Sequence, residues 1–281
     1  MSALPSPATG WQARLQLGFE RRDDATILSR REHFGPLRVQ KALYPEGEAI
    51  CHAIVLHPPS GIVGGDELEI AVRVGEHAHA LLTTPGAGKW YRSGGAQAAQ
   101  RLRFEVAEHG VLEWLPQETI VFDGARARME TEVVLARDAR FIGWEVLCLG
   151  RRAAGERYAS GEIALQTRIE QDGRVIWLER GKLEGGSPLL DSPAGLAGYS
   201  VAATLLAVGV SQDAAPLAAC REILPTEADA QYGITALPEV LVARYLGHAS
   251  ESAREWFTAL WRMLRPAVIG CEACSPRIWR T

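Results

Sequence analysis

Period-two alternation dominates the first two thirds of the chain. Ala13, Leu15, Leu17 and Phe19 alternate with Gln12, Arg14 and Gln16. Leu102, Phe104 and Val106 alternate with Arg101, Arg103 and Glu105, and Ile163, Leu165, Thr167 and Ile169 with Glu162, Gln166 and Arg168. Side chains of a strand point to opposite faces in turn, so each run predicts a strand with one buried face. More apolar strand candidates cover Ala53–Leu56, Ala80–Thr84, Val133–Leu135, Phe141–Leu147 and Val175–Leu178. Turn clusters separate them, among them His57-Pro58-Pro59-Ser60-Gly61, Gly64-Gly65-Asp66 and Glu170-Gln171-Asp172-Gly173. Closely spaced strands with no intervening helix predict an all-β, mainly antiparallel body over residues 10–210.

From Ser250 the period changes. Ala253, Trp256, Phe257, Leu260, Trp261 and Leu264 recur on one face of a helix. Ser252 with Glu255 reads as a capping box, and Pro266 as the stop. A weaker helix is expected over 214–223. The C-terminal part, 211–281, thus carries about two helices. No linker divides the chain, so 1–281 reads as one domain. The Trp256/Phe257/Leu260/Trp261 stripe fits two roles: packing on the β body, or docking a partner helix, since large aromatics favour interface anchors.

Composition narrows the class. With 281 residues, 47% of them hydrophobic, the chain can bury a sizeable core. A formal charge of −4 gives no basic face for nucleic acid. No apolar run approaches the roughly 20 residues needed to cross a bilayer. The opening MSALPSPATGWQ lacks the layout of a signal peptide. Five scattered cysteines fit a reduced cytoplasm better than a disulfide framework.

Chemistry-bearing motifs are few. Pro85-Gly86-Ala87-Gly88-Lys89 after an apolar run looks like half of a phosphate loop. Thr83 stands where that loop needs its first glycine, and Trp90 where it needs a magnesium-ligating hydroxyl, so a turn is expected instead. No nucleophile elbow, zincin or dinucleotide motif occurs, and no catalytic residues are expected. Cys271-x-x-Cys274 has no second pair nearby to complete a metal site. His77-Ala78-His79 would place two imidazoles on one face of a strand, where they could share nickel, copper or zinc; two exposed positions on a sheet face fit as well. Cys51 and His52 point to opposite faces and cannot chelate together.

Several phrases occur in a distinctive order: His33-Phe34-Gly35-Pro36-Leu37-Arg38-Val39-Gln40, Tyr44-Pro45-Glu46, LHPPSGIVGGDEL from Leu56, TTPGAGKWYRS, LEWLPQETIVFDGA from Leu112, GWEVLCLGR from Gly143, and the closing PRIWRT. They resemble the UreD (UreH) family of urease accessory proteins from about Gly10 to the last residue. The resemblance implies an elongated, β-helix-like stack of strands with two helices. It implies a non-enzymatic factor, with no permanent cofactor, that sits on apo-urease and holds UreF, which recruits the GTPase UreG. The helical part is expected to contribute to docking UreF. Family resemblance further implies a water-filled tunnel for nickel in transit, matched here by Asp66, Glu67, Glu145 and Glu179. Gly88 stands where some relatives carry a small polar residue. Spaced carboxylates suit passage, because hard oxygen ligands offset lost hydration without trapping the ion. Asp66 after two glycines is equally a turn former. The alternative is a metallochaperone that holds nickel itself through His77, His79 and Asp66.

Overall fold

The computed structural model describes residues 10–210 and 214–280. The stretch weighed against a signal peptide falls mostly on residues 1–9 and lies outside them. In chain order the strands begin with β1 (Gln12–Arg22), β2 (Ala25–Phe34), β3 (Arg38–Val39), β4 (Ile50–Leu56), β5 (Glu67–Val74) and β6 (His79–Thr83). Then come β7 (Gly88–Trp90), β8 (Ala98–Val106), β9 (Val111–Trp114), β10 (Thr119–Val121), β11 (Arg126–Leu135) and β12 (Arg140–Leu149). A hairpin of β13 (Glu162–Gln171) and β14 (Arg174–Glu184) precedes helix α1 (Pro188–Asp191) and β15 (Val201–Val208). Helix α2 (Ala214–Arg221), β16 (Gln231–Ala236), β17 (Val240–Gly247) and helix α3 (Ser250–Val268) complete the order.

Two sheets stack face to face. The first runs β14-β13-β11-β8-β5-β1-β2, the second β16-β17-β15-β12-β9-β6-β4-β3. From β4 to β13 the chain crosses between sheets after nearly every strand, so each coil adds one strand to each sheet. Successive strands of a sheet are therefore parallel: β5 with β8, β8 with β11 and β11 with β13, as well as β4 with β6, β6 with β9 and β9 with β12. The mainly antiparallel body expected from the sequence is corrected to a mixed, solenoid-like stack. A parallel pair needs a long crossover, and here the opposing strand serves as that crossover in place of a helix. Antiparallel pairing is confined to the ends, at β1–β2, β3–β4, β13–β14 and β12–β15–β17–β16.

The alternation read from the sequence sets the layers. Leu15, Leu17, Phe104, Val133 and Ile169 of the first sheet meet Phe141 and Leu147 of the second in one core. The outward residues of the first sheet form charged pairs instead, such as Arg14–Glu69, Arg73–Glu105 and Arg168–Glu132. Opposite charges on neighbouring strands stabilise a sheet modestly and keep this face wet. The far face of the second sheet packs Ile142 and Trp144 against Phe257, Leu260 and Leu264 of α3 in a second core.

Helices α2 and α3 are the two expected in 211–281, with the four-residue α1 before them, but α3 departs from its sequence signals. Its N-cap is Ala249, and Ser252 lies inside the first turn, where its hydroxyl accepts the Glu227 N–H at 3.0 Å. No capping box forms. Glu227 serves this end from a distance, accepting the N–H groups of His248 and Ala249 at 2.8 and 3.0 Å. Pro266 does not stop the helix either; it continues to Val268 and ends before Gly270, whose φ is +87°. A proline this late removes one ladder bond only.

Candidate functional site

Between the two sheets lies a cavity of about 780 Å³. It extends from the long loops, where Ser60, Pro85–Lys89 and Gln117 line it, to the edge where β14 faces β17. Most of the lining is apolar, but two cross-strand rows are polar. On the first sheet Thr131 pairs with Thr167, and Thr167 with Glu179. On the second, Glu145 pairs with Thr204, and Thr204 with Arg244. All six residues line the cavity. Period two puts them there: Glu145 follows Phe141 and Gly143 on the inner face of β12, and Thr167 follows Ile163 and Leu165 on β13.

The two acids differ in their partners. Glu179 is bonded by Arg244 Nη1 at 2.8 Å. Glu145 has no hydrogen-bond or ion-pair partner among the described residues, although it stands on a central strand facing the other sheet. Burial, and then the nearby Glu179, push its carboxyl up to about 7. An unpaired carboxyl in a space of several water volumes, beside a second acid, can accept a proton or offer oxygen to a cation.

The other two tunnel candidates stand elsewhere. Asp66 is buried, and its carboxylate accepts the backbone N–H of Trp11 at 2.8 Å and of Val63 at 2.9 Å. That is the turn-forming role. Glu67 opens β5 and is exposed. Neither lines the cavity, so the four acids are split into two pairs. The Pro85–Lys89 loop does line it, and Gly88 begins a three-residue strand parallel to β10. A Cβ added at Gly88 would meet only Thr119 Oγ1, at 3.9 Å, so a small side chain fits there.

The histidine pair does not share a strand face. His77 occupies a turn with φ of +55° and stacks on His109 at 4.9 Å, while His79 begins β6 and is buried. Glu108, His109 and Asp138 bring exposed ligand atoms within 4.8 Å of one another, in turns of adjacent coils. Cys271 and Cys274 are half-buried free thiols.

A buried ionic cluster under α3 was missed in the sequence. The Arg265 guanidinium donates to Glu113 at 3.0 Å and to Glu46 at 2.9 Å. His79 Nε2 lies 2.7 Å from Glu113, and His52 Nε2 lies 2.6 Å from Glu46. Trp261 Nε1 donates to the second Glu113 oxygen at 2.6 Å. Burial works against the Glu113 anion, yet His79 and Arg265 hold its carboxyl below the usual range. Two signals pointed here: a glutamate inside the apolar run Val111–Leu115, and an arginine one turn beyond Trp261 on the buried stripe.

Of the two roles open to Trp256, Phe257, Leu260 and Trp261, packing on the β body is the one the same geometry displays. All four are at most 2% exposed and belong to the second core. Trp256 Nε1 is satisfied by the Ile223 carbonyl at 2.8 Å. No partner reaches them while α3 is seated.

Comparison with known proteins agrees with the motif order. A protein-family profile described as UreD urease accessory protein matches residues 12–280. The chain is 60% identical to the urease accessory protein UreD of Dechloromonas aromatica (strain RCB) over 280 residues, covering 99% of this chain and 97% of that one. It is 58% identical to the UreD of Azoarcus sp. (strain BH72), with 100% and 98% covered. The UreD of Pseudomonas aeruginosa is 48% identical, with 100% and 99% covered. No helix of the described residues is long and apolar enough to cross a membrane. The chain belongs to the UreD family of urease accessory proteins.

Proposed function

We propose that this chain is a cytoplasmic, non-enzymatic scaffold for urease maturation that lets nickel pass through the space between its sheets. One observation carries the reading: Glu145, without a partner among the described residues, faces Glu179 across an internal cavity of about 780 Å³. Two carboxylates and the neighbouring threonine hydroxyls offer hard oxygen ligands, too few to cage the ion. Membership of a urease accessory family supports the adaptor part of the reading: apo-urease on one side, UreF and through it the GTPase UreG on the other. With the aromatic stripe of α3 in the core, the docking face is the solvent side of the helical layer, where Leu224 and Met263 are exposed. We read the chain as one domain, because the second sheet contributes to both cores.

Glu145→Gln with Glu179→Gln should leave UreF capture unchanged and lower the nickel content of matured urease at least tenfold. Normal nickel content would defeat the conduit. A second reading, a metallochaperone that holds nickel, is favoured by the Glu108/His109/Asp138 cluster with His77 stacked beside it. Equilibrium dialysis separates the two: tight one-to-one nickel binding abolished by His109→Ala supports the chaperone.

A further inference from the structure

We infer that Arg244 is the selectivity gate of the inter-sheet cavity, an internal counter-ion that occupies Glu179 until a divalent cation displaces it. The inference rests on the conduit reading above and adds what decides entry.

The position is the first argument. β14 is the end strand of its sheet and β17 lies next to the end of the other, so the Arg244–Glu179 bond joins the two sheets across the cavity's open edge. Second, the pair is easily opened. The Arg244 and Glu179 side chains keep 51% and 35% of their exposure, and an ion pair so well solvated is weak. Third, the guanidinium has a second support: it lies 5.8 Å from the Trp177 ring centroid, close enough for a cation–π contact once Glu179 is taken. Fourth, its charge is permanent, since arginine does not deprotonate in proteins.

These features discriminate by charge. A monovalent ion gains from Glu179 no more than Arg244 already does, so it has no advantage in the exchange. A divalent ion is attracted twice as strongly at equal distance, and Glu145 supplies a second carboxylate that Arg244 does not engage. The cross-strand row Glu145–Thr204–Arg244 puts the displaced residue and the second ligand on one face of one sheet. Arg244 is thus a positioning residue for entry, not a ligand.

The test is equilibrium dialysis of the full-length chain against nickel chloride alone at neutral pH. Arg244→Gln should bind nickel about five- to tenfold more tightly than the parent, the order expected from removing one partly solvated opposing charge. Arg244→Lys keeps the charge and the stem, serves as the folding control, and should match the parent. Glu145→Gln in the Arg244→Gln background should erase the gain. Equal affinity of Arg244→Gln and the parent, with binding still dependent on Glu145, overturns the gate and leaves the conduit standing. Binding that ignores Glu145 in both backgrounds overturns the conduit and the gate together.

Discussion

Two glutamates of the second sheet, Glu113 and Glu145, stand one on each of its faces, and their surroundings are built in opposite ways. Under α3, Glu113 is fully enclosed and accepts from Arg265, His79 and Trp261. Between the sheets, Glu145 has empty volume before it, another acid opposite and no donor among the described residues. A buried charge that is completely partnered fixes structure, because removing any partner strands the others. One left unpartnered and desolvated beside another acid favours its protonated form. The contrast separates scaffold from site more sharply than either residue does alone.

The largest expected effect breaks the partnered side. Arg265→Met leaves Glu46 and Glu113 buried without their shared cation and should lower unfolding stability by about 3–5 kcal/mol, read by urea denaturation. Should the variant lose less than about 1 kcal/mol, the cluster is not what seats α3.

A smaller effect of opposite sign is expected across the sheet. The Glu145 carboxyl sits at about 7 in the fold against an ordinary 4.5, so the folded state holds a proton that the unfolded chain releases. The parent therefore loses stability as pH rises from about 4.5 through about 7, by about 3 kcal/mol in all. Glu145→Gln should remove that slope, matching the parent's trend at pH 4 and gaining on it at pH 8. A parent and variant with parallel stability–pH curves would show that Glu145 is not held in a desolvated, acid-facing position. Asp66→Ala comes next. It strips two backbone N–H groups of their acceptor and should cost about 1–2 kcal/mol with no change in nickel binding, which marks Asp66 as a turn residue. Altered nickel binding without loss of stability would return it to the conduit.

The sequence made the layers legible and hid their connection. Alternation placed Leu15, Leu17, Phe104 and Ile169 inside, because one buried face forces period two whatever the strand's partner. It carries no sign of parallel or antiparallel pairing, which depends on whether the next strand returns to the same sheet or crosses to the other. The α3 stripe was equally plain as a buried face, but burial alone does not say whether sheet or partner covers it. His77 and His79 do not pair because His77 is itself a left-handed turn residue and β6 begins only at His79. Glu145 and Glu179 were legible through family motifs. Arg244 and the threonine rows were not, since cross-strand neighbours far apart in sequence leave no local pattern.

The central claim is that a divalent ion occupies the space in front of Glu145. Anomalous X-ray maps at the nickel edge, from crystals of the parent and of Glu145→Gln soaked in nickel chloride, test it most directly. The account expects a peak between Glu145 and Glu179 in the parent that is missing in the variant. Peaks confined to the His77/His109 turns, with none between the sheets, would contradict it.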